Sequence, residues 1–164
     1  MKYIICITSG YVNPLHSGHI KLINGMIKWS NNYNQWEENI VITYFIVNND
    51  KQVSIKKSIP FMNESERCFI IKHIKGINHS MISIDEDNTV SKSIEKICQE
   101  HLQDGSEREF YFFKGGDRSD SSKMPQSELD VCKKYNIEIV YGCGGFNKAN
   151  SSSEILRKVR ENNV

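Results

Sequence analysis

Apolar runs of strand length alternate along the chain with polar segments whose apolar residues fall at helical spacing. Lys2–Thr8 (KYIICIT) is rich in β-branched residues and closes on Ser9-Gly10, which predicts a buried strand. From Ser17 to about Trp29, residues Ile20, Leu22, Ile23, Met26 and Ile27 share one side of a predicted helix. Ser30–Asn39 (SNNYNQWEEN) is polar and Asn-rich and reads as a loop or an extra helical turn. Ile40–Val47 (IVITYFIV) is apolar throughout, as expected of a strand buried on both faces in the middle of a parallel sheet. The lysine-containing segment Asn48–Pro60 reads as a loop. Asn63, with Glu66 three positions on, predicts the start of a helix reaching about Lys75. Ser80–Ile84 is a short strand, and Asp87 or Thr89 opens a helix to Leu102 with Val90, Ile94, Ile97, Cys98 and Leu102 on one face. Phe110–Phe113 is a strand, Pro125–Tyr135 a helix, Ile137–Tyr141 a strand and Ser152–Asn162 a closing helix.

Strands and helices alternating in this way imply right-handed β-α-β units: an α/β domain with a doubly wound, mostly parallel sheet and helices on both faces. No repeat or linker divides the chain, so residues 1–164 are expected to form one domain. In such sheets ligands bind beyond the carboxyl ends of the strands, where the strand order reverses. The turns Thr8–His19, Asn48–Pro60 and Lys114–Asp120 and the helix start Asn150–Ser153 are expected on that edge, and Gly, His, Lys, Ser and Asp collect in them.

Composition narrows the functions. Hydrophobic residues make up 38% and charged residues 25%, as in a soluble globular protein. The 21 Lys+Arg against 20 Asp+Glu leave a net charge of +1, so the broad basic field of a nucleic-acid binder is missing and no nucleic-acid partner is expected. Any anion site must be local. Five scattered cysteines (Cys6, Cys68, Cys98, Cys132, Cys143) form no C-x-x-C pair; they fit small core residues of a reduced, cytoplasmic protein better than a disulfide scaffold or a zinc site. No run approaches the roughly 18–20 apolar residues that span a bilayer, and Tyr3–Ile7 is too short for a signal-peptide core, so no membrane partner is expected. No side-chain metal site is expected.

The strongest chemical signal is Ser9–His19 (SGYVNPLHSGH), between a strand and a helix. His16 and His19, three apart at the helix start, fall on one face, and Gly18 between them lets an anion approach the backbone. Free N–H groups and the positive end of the helix dipole already favour phosphate there. Gly115 and Gly116, directly after a buried strand, allow close approach to a ligand, and hydroxyls at a helix start (Ser151, Ser152, Ser153) suit phosphate. Each has a bland alternative: capping or surface histidines, a turn that merely needs glycine, and a serine N-cap. Lys56 and Lys57 in a polar loop read, on their own, as solvated. Arg67 fits equally a surface helix residue pairing with Glu64 or Glu66.

HSGH (His16–His19) is similar to the HxGH signature of the cytidylyltransferase-like nucleotidyltransferases. The short HIGH motif of class I aminoacyl-tRNA synthetases is related, but the chain is too short for such an enzyme and has no KMSKS-like element. The resemblance continues in order. IVNNDKQVSIKK (Ile46–Lys57), then Glu66-Arg67, resembles the family's second-strand region. KGGDR (Lys114–Arg118) resembles the KGGDY turn of bacterial heptose-phosphate adenylyltransferases. NSSS (Asn150–Ser153) resembles the serine–threonine element that opens the family's last helix. The R-T-x-G-I-S-T stretch of the glycerol- and choline-phosphate cytidylyltransferases is not matched here, which favours the sugar-phosphate branch.

The resemblance implies a Rossmann-like five-stranded sheet of order 3-2-1-4-5. It also implies transfer of a nucleoside monophosphate from ATP or CTP to a phosphorylated small molecule, a sugar or polyol phosphate, with release of pyrophosphate. His16, His19 and Lys57 would be catalytic, with Lys56 the alternative to Lys57. Thr8, Ser9, Gly10, Tyr11, His16, Gly18, His19, Gly115, Gly116, Asp117, Ser151, Ser152 and Ser153 would bind the nucleotide; Asp50, Lys56, Lys57 and Arg67 would bind the acceptor. Mg²⁺ would be held mainly by the nucleotide phosphates, and the family suggests a homodimer. The alternatives are a module that binds a nucleotide or nucleotide-sugar without catalysis and, among enzymes, a glycerol-3-phosphate-type cytidylyltransferase.

Overall fold

A computed structural model of the chain describes residues 1–34, 38–116, 120–145 and 151–162. The apolar runs become strands β1 (Tyr3–Gly10), β2 (Ile40–Val47), β3 (His79–Ile82), β4 (Arg108–Gly115) and β5 (Glu138–Cys143). They form one sheet of order β3-β2-β1-β4-β5 with every pair parallel, the expected order. β1, hydrogen-bonded on both sides, buries Ile4 to Thr8 completely, which is why its sequence is a continuous apolar run rather than an alternation.

Alternate β1 residues face two separate cores. Ile4 and Cys6 pack with Leu22, Ile23 and Met26 of α1 (Ser17–Tyr33) and Ile71 of α3 (Glu64–Lys72). Ile5 and Ile7 pack with Ile94, Ile97 and Cys98 of α4 (Ser91–His101) and Val131 and Cys132 of α5 (Gln126–Lys134). A helix α6 (Ser152–Asn162) closes the chain. The result is a doubly wound, Rossmann-like α/β domain. All five cysteines are free thiols, four of them buried, and burial pushes those of Cys6, Cys98 and Cys132 up to about 12. Among the described residues no helix is long and apolar enough to cross a membrane.

The elements depart from the sequence reading in three informative places. Helix α1 continues to Tyr33, because Trp29 and Tyr33 stack on each other and against Tyr111 of β4. The segment read as a loop, Asn48–Pro60, contains a helix α2 (Asp50–Ile55). Its Asn49 cap and Gln52 exchange hydrogen bonds, and the buried Gln52 side chain donates to the carbonyls of Asp87 and Thr89 at 2.7 and 2.6 Å. Helix α4 starts at Ser91 rather than at Asp87 or Thr89. Buried Asp85 accepts the first-turn N–H groups of Lys92 and Ser93 at 2.7 and 3.0 Å, a cap delivered from upstream. These bonds join the loop after β2 to the loop after β3.

Candidate active site

The chain runs outward through β2 and β3 on one side of β1 and returns to β4 on the other, so the reversal lies between β1 and β4. A cavity of about 460 Å³ opens at that place, beyond the carboxyl ends of the strands. Three lysines (Lys21, Lys56, Lys114), two histidines (His16, His19) and a single carboxylate (Glu128) line it among the described residues, a balance that suits an anionic ligand.

The histidines are locked by the helix they begin. His16 is the N-cap of α1; its Nδ1 accepts the N–H of Gly18 at 3.0 Å, and Nδ1 of His19 accepts the N–H of His16 at 3.2 Å. A backbone N–H is always the donor, so both Nδ1 atoms are unprotonated and each neutral ring carries its proton on Nε2. The ring centroids lie 4.0 Å apart. This alters one expectation about Gly18: its N–H serves the cap, and the donors offered at the start of α1 are imidazole Nε2–H groups standing on the helix end. Gly10 adds the close approach, since a Cβ there would come within 3.4 Å of the His19 ring.

Burial, and secondarily the neighbouring His16, lower the pKa of His19 from 6.5 to about 4. His19 is therefore a neutral hydrogen-bond donor at pH 7. Between pH 6.5 and 4 the unfolded chain binds a proton at this residue that the folded chain refuses. The associated stability is complete above pH 6.5 and is lost as pH falls through about 4, on the order of 3 kcal/mol. An NMR titration of the folded protein should place the His19 midpoint near pH 4; a midpoint near 6.5 would refute this environment.

The cavity is also lined by Gly115 and Gly116 at the end of β4, Gly144 and Gly145 after β5, and Ser151 to Ser153 at the start of α6. Ser151 caps α6 by accepting the N–H of Glu154 at 3.1 Å, and the Ser152 hydroxyl donates to the carbonyl of Pro14 at 3.0 Å, seating α6 on the β1–α1 turn. Gly144 has φ +83°, and a Cβ there would lie 2.6 Å from the carbonyl oxygen of Lys21, so only glycine lets the β5 end meet α1 this closely.

Of the sequence-derived candidates, Ser9, Gly10, Tyr11, His16, Gly18, His19, Lys56, Gly115, Gly116, Ser151, Ser152 and Ser153 line this cavity. Asp117 lies outside the described residues. Four candidates do not line it. Thr8 is fully buried, its hydroxyl donating to the carbonyl of Phe113 at 2.9 Å and tying β1 to β4. Lys57 takes a left-handed conformation (φ +54°) just past the end of α2, and its exposed side chain is not part of the wall. Lys56, one residue earlier, sets its ammonium 3.9 Å from the centroid of the Tyr11 ring.

Arg67 is no surface residue. It is completely buried and donates to the carbonyls of Tyr11, Asn48 and Met62 at 2.6, 2.7 and 3.1 Å and to the Asp50 carboxylate at 2.6 Å. It and Asp50 shape the cavity from behind. The sequence reading missed Glu128 and Lys114 as wall residues; their buried pair is 3.1 Å apart. The signal was present: Glu128 shares the buried face of α5 with Val131 and Cys132, and a carboxylate on an apolar face calls for a partner.

Fold and site together define a Rossmann-like domain with a basic, histidine-bearing ligand cavity at its switch point. No protein-family model matches the chain, and no curated protein matches it significantly in sequence. Its fold is found in the crystal structure of the lipopolysaccharide core biosynthesis protein from Thermoplasma volcanium GSS1, with a TM-score of 0.57 over 90% of this chain and 98% of that one. The two share 17% sequence identity, so the likeness is one of fold.

Proposed function

We propose that this protein is a nucleotidyltransferase. It would transfer a nucleoside monophosphate from ATP or CTP to a phosphorylated small molecule, a sugar or polyol phosphate, and release pyrophosphate. The observation that carries the reading is the reciprocal capping of His16 and His19, which sets two neutral Nε2–H donors at the wall of a basic cavity at the switch point. That the protein of like fold is named for lipopolysaccharide core biosynthesis fits a sugar-phosphate acceptor.

An acceptor phosphate monoester has a second pKa near about 6 and is already largely dianionic at pH 7, so the reaction needs no strong base. One of its oxygens forms a bond to the α-phosphorus, and the bond from that phosphorus to the bridging oxygen breaks. The electron pair leaves with pyrophosphate. His16 and His19 donate hydrogen bonds to the phosphoryl oxygens as charge grows on them, and the groups at the start of α6 and the glycine turns hold the nucleotide. Lys56 draws the acceptor phosphate toward them. Mg²⁺ would be carried mainly by the nucleotide phosphates, since this ion keeps several waters and binds substrate phosphates. Bound there it would neutralise charge on the leaving group.

The testing experiment is a panel of ATP and CTP against sugar phosphates, glycerol 3-phosphate and choline phosphate, read by pyrophosphate release. Release with a hydroxylated acceptor is expected; nucleotide binding without release from any acceptor would make the protein a sensor. Within the same assay, Lys56→Ala should raise the acceptor KM by about tenfold, as for a lost charge-assisted hydrogen bond, and by more than Lys57→Ala does. A larger effect at Lys57 would reverse the assignment of the two lysines.

A further inference from the structure

Of the buried side-chain polar atoms, five have no hydrogen-bond partner among the described residues; two of them, Tyr11 Oη and Ser58 Oγ, belong to residues lining the cavity, and a third, Glu128 Oε2, is met there by the ammonium of Lys114 at 3.1 Å. Native structures leave few such groups unpaired, and a cluster of them in one cavity points to a ligand that completes their bonds. Ser58 and Glu128 are held in place. Ser58 sits on a loop that Asn13 clamps, its side chain donating to the carbonyl of Ile59 at 3.0 Å and accepting the N–H of Phe61 at 2.9 Å. Glu128 is fixed by Lys114 through Oε2 and by the N–H of Val90, which donates to Oε1 at 3.2 Å.

The position of the unpaired atoms says which ligand they meet. Tyr11 and Ser58 line the cavity together with Lys56, whose ammonium lies 3.9 Å from the centroid of the Tyr11 ring. Burial, and then the carboxylates of Glu128 and Asp87, push the Tyr11 hydroxyl up to about 12, so it stays a donor at any working pH. Lys114 is already matched by Glu128 and Lys56 is assigned to the acceptor phosphate, so a second anionic group beside Tyr11 would face the carboxylates of Glu128 and Asp87 without a counter-ion of its own. Neutral hydroxyls fit: each can accept from Tyr11 or Ser58 and donate to Ser58 or Glu128.

We propose that Tyr11 and Ser58, backed by Glu128, read the hydroxyl groups on the carbon chain of the acceptor and thereby select a polyol or sugar phosphate over a phosphate ester of an unhydroxylated or acidic chain. The proposal rests on the nucleotidyl-transfer reading of the cavity and adds to it the residues that set acceptor choice.

Calorimetric titration of the whole chain, with α,β-methylene ATP or CTP present, tests it. Glycerol 3-phosphate and sorbitol 6-phosphate are compared with n-propyl phosphate, which keeps the phosphate and lacks hydroxyls, and with 3-phosphoglycerate, which replaces a hydroxymethyl by a carboxylate. At least one polyol phosphate should bind about tenfold tighter than n-propyl phosphate, as for one or two hydrogen bonds to otherwise unpaired groups, and 3-phosphoglycerate should bind more weakly than glycerol 3-phosphate. Tyr11→Phe and Ser58→Ala, each confirmed folded by thermal melting, should lower the polyol-to-propyl ratio at least threefold. The proposal is overturned if no polyol phosphate binds, if the wild-type ratio is near one, or if neither variant lowers it. A parallel pyrophosphate assay separates the two readings. Hydroxyl discrimination without pyrophosphate release would sink the transfer reaction alone, while equal release from propyl and polyol phosphates would sink the hydroxyl reading alone.

Discussion

Alanine at His19 should lower the rate of pyrophosphate release by about 10²-fold or more, the usual consequence of removing one donor to a charge that grows in the transition state. The expectation comes from the tautomer: Nδ1 of His19 is committed to the N–H of His16, which leaves Nε2–H for the substrate. Alanine also deletes that cap, which contributes about 1 kcal/mol to stability, so a lower rate could arise from a displaced helix start. Two further substitutions separate the effects. An Asn side chain can present an acceptor where Nδ1 stands but carries no donor at the Nε2 position, whereas the amide of Gln reaches that position. His19→Asn should therefore melt close to wild type and remain slow, and His19→Gln should recover part of the rate. If His19→Asn kept near wild-type turnover, the donor role of the ring would be wrong. His16→Ala should show a loss of similar size, since its Nδ1 is committed in the same way to Gly18.

The largest stability effect is expected at Arg67. Methionine there would keep much of the volume but withdraw the donors that now satisfy the carbonyls of Tyr11 and Asn48 and pair with Asp50. Orphaning a buried acceptor costs roughly 1–3 kcal/mol, and breaking a buried charge pair roughly 3–5 kcal/mol. Asp50 keeps some contact with water, its side chain being 36% exposed, so a loss of about 3–4 kcal/mol is expected. For a chain of this size that corresponds to a fall in Tm of about 10 °C. A calorimetric melt within 2–3 °C of wild type would show that the guanidinium is replaceable and that the cavity does not depend on it. Tyr11 and Asn48 both line the cavity, so acceptor binding should weaken in any Arg67→Met protein that remains folded.

Strands β1, β2 and β4 were legible in the sequence because burial on both sheet faces leaves no room for polar alternation. The start of α1 was legible for a different reason: His16 and His19 lie three residues apart at a strand-to-helix turn, so the bonds that fix them, to the N–H groups of Gly18 and His16, are local ones. What escaped depends on distant partners. Helix α2 is short and polar, and its anchor Gln52 bonds to carbonyls 35 and 37 residues further on. Arg67 reads as a surface residue until Tyr11, Asn48 and Asp50 are known to converge on it. Lys56 and Lys57 are chemically identical neighbours; only the left-handed turn at Lys57 decides which of them lines the cavity. Glu128 was readable in principle, as a carboxylate on the apolar face of α5, but its partner Lys114 comes from another element.

The central claim is that a phosphate monoester becomes linked to a nucleoside monophosphate at this cavity. Its most direct test is ³¹P NMR of the purified protein incubated with Mg²⁺, ATP or CTP, and the acceptor that the panel identifies. The reaction proposed here predicts a new pair of phosphoanhydride resonances from the nucleoside-diphosphate-linked product, growing together with inorganic pyrophosphate in equal amounts and greatly slowed by His19→Asn. Orthophosphate without a coupled product, or an unchanged spectrum with every donor and acceptor, would contradict it.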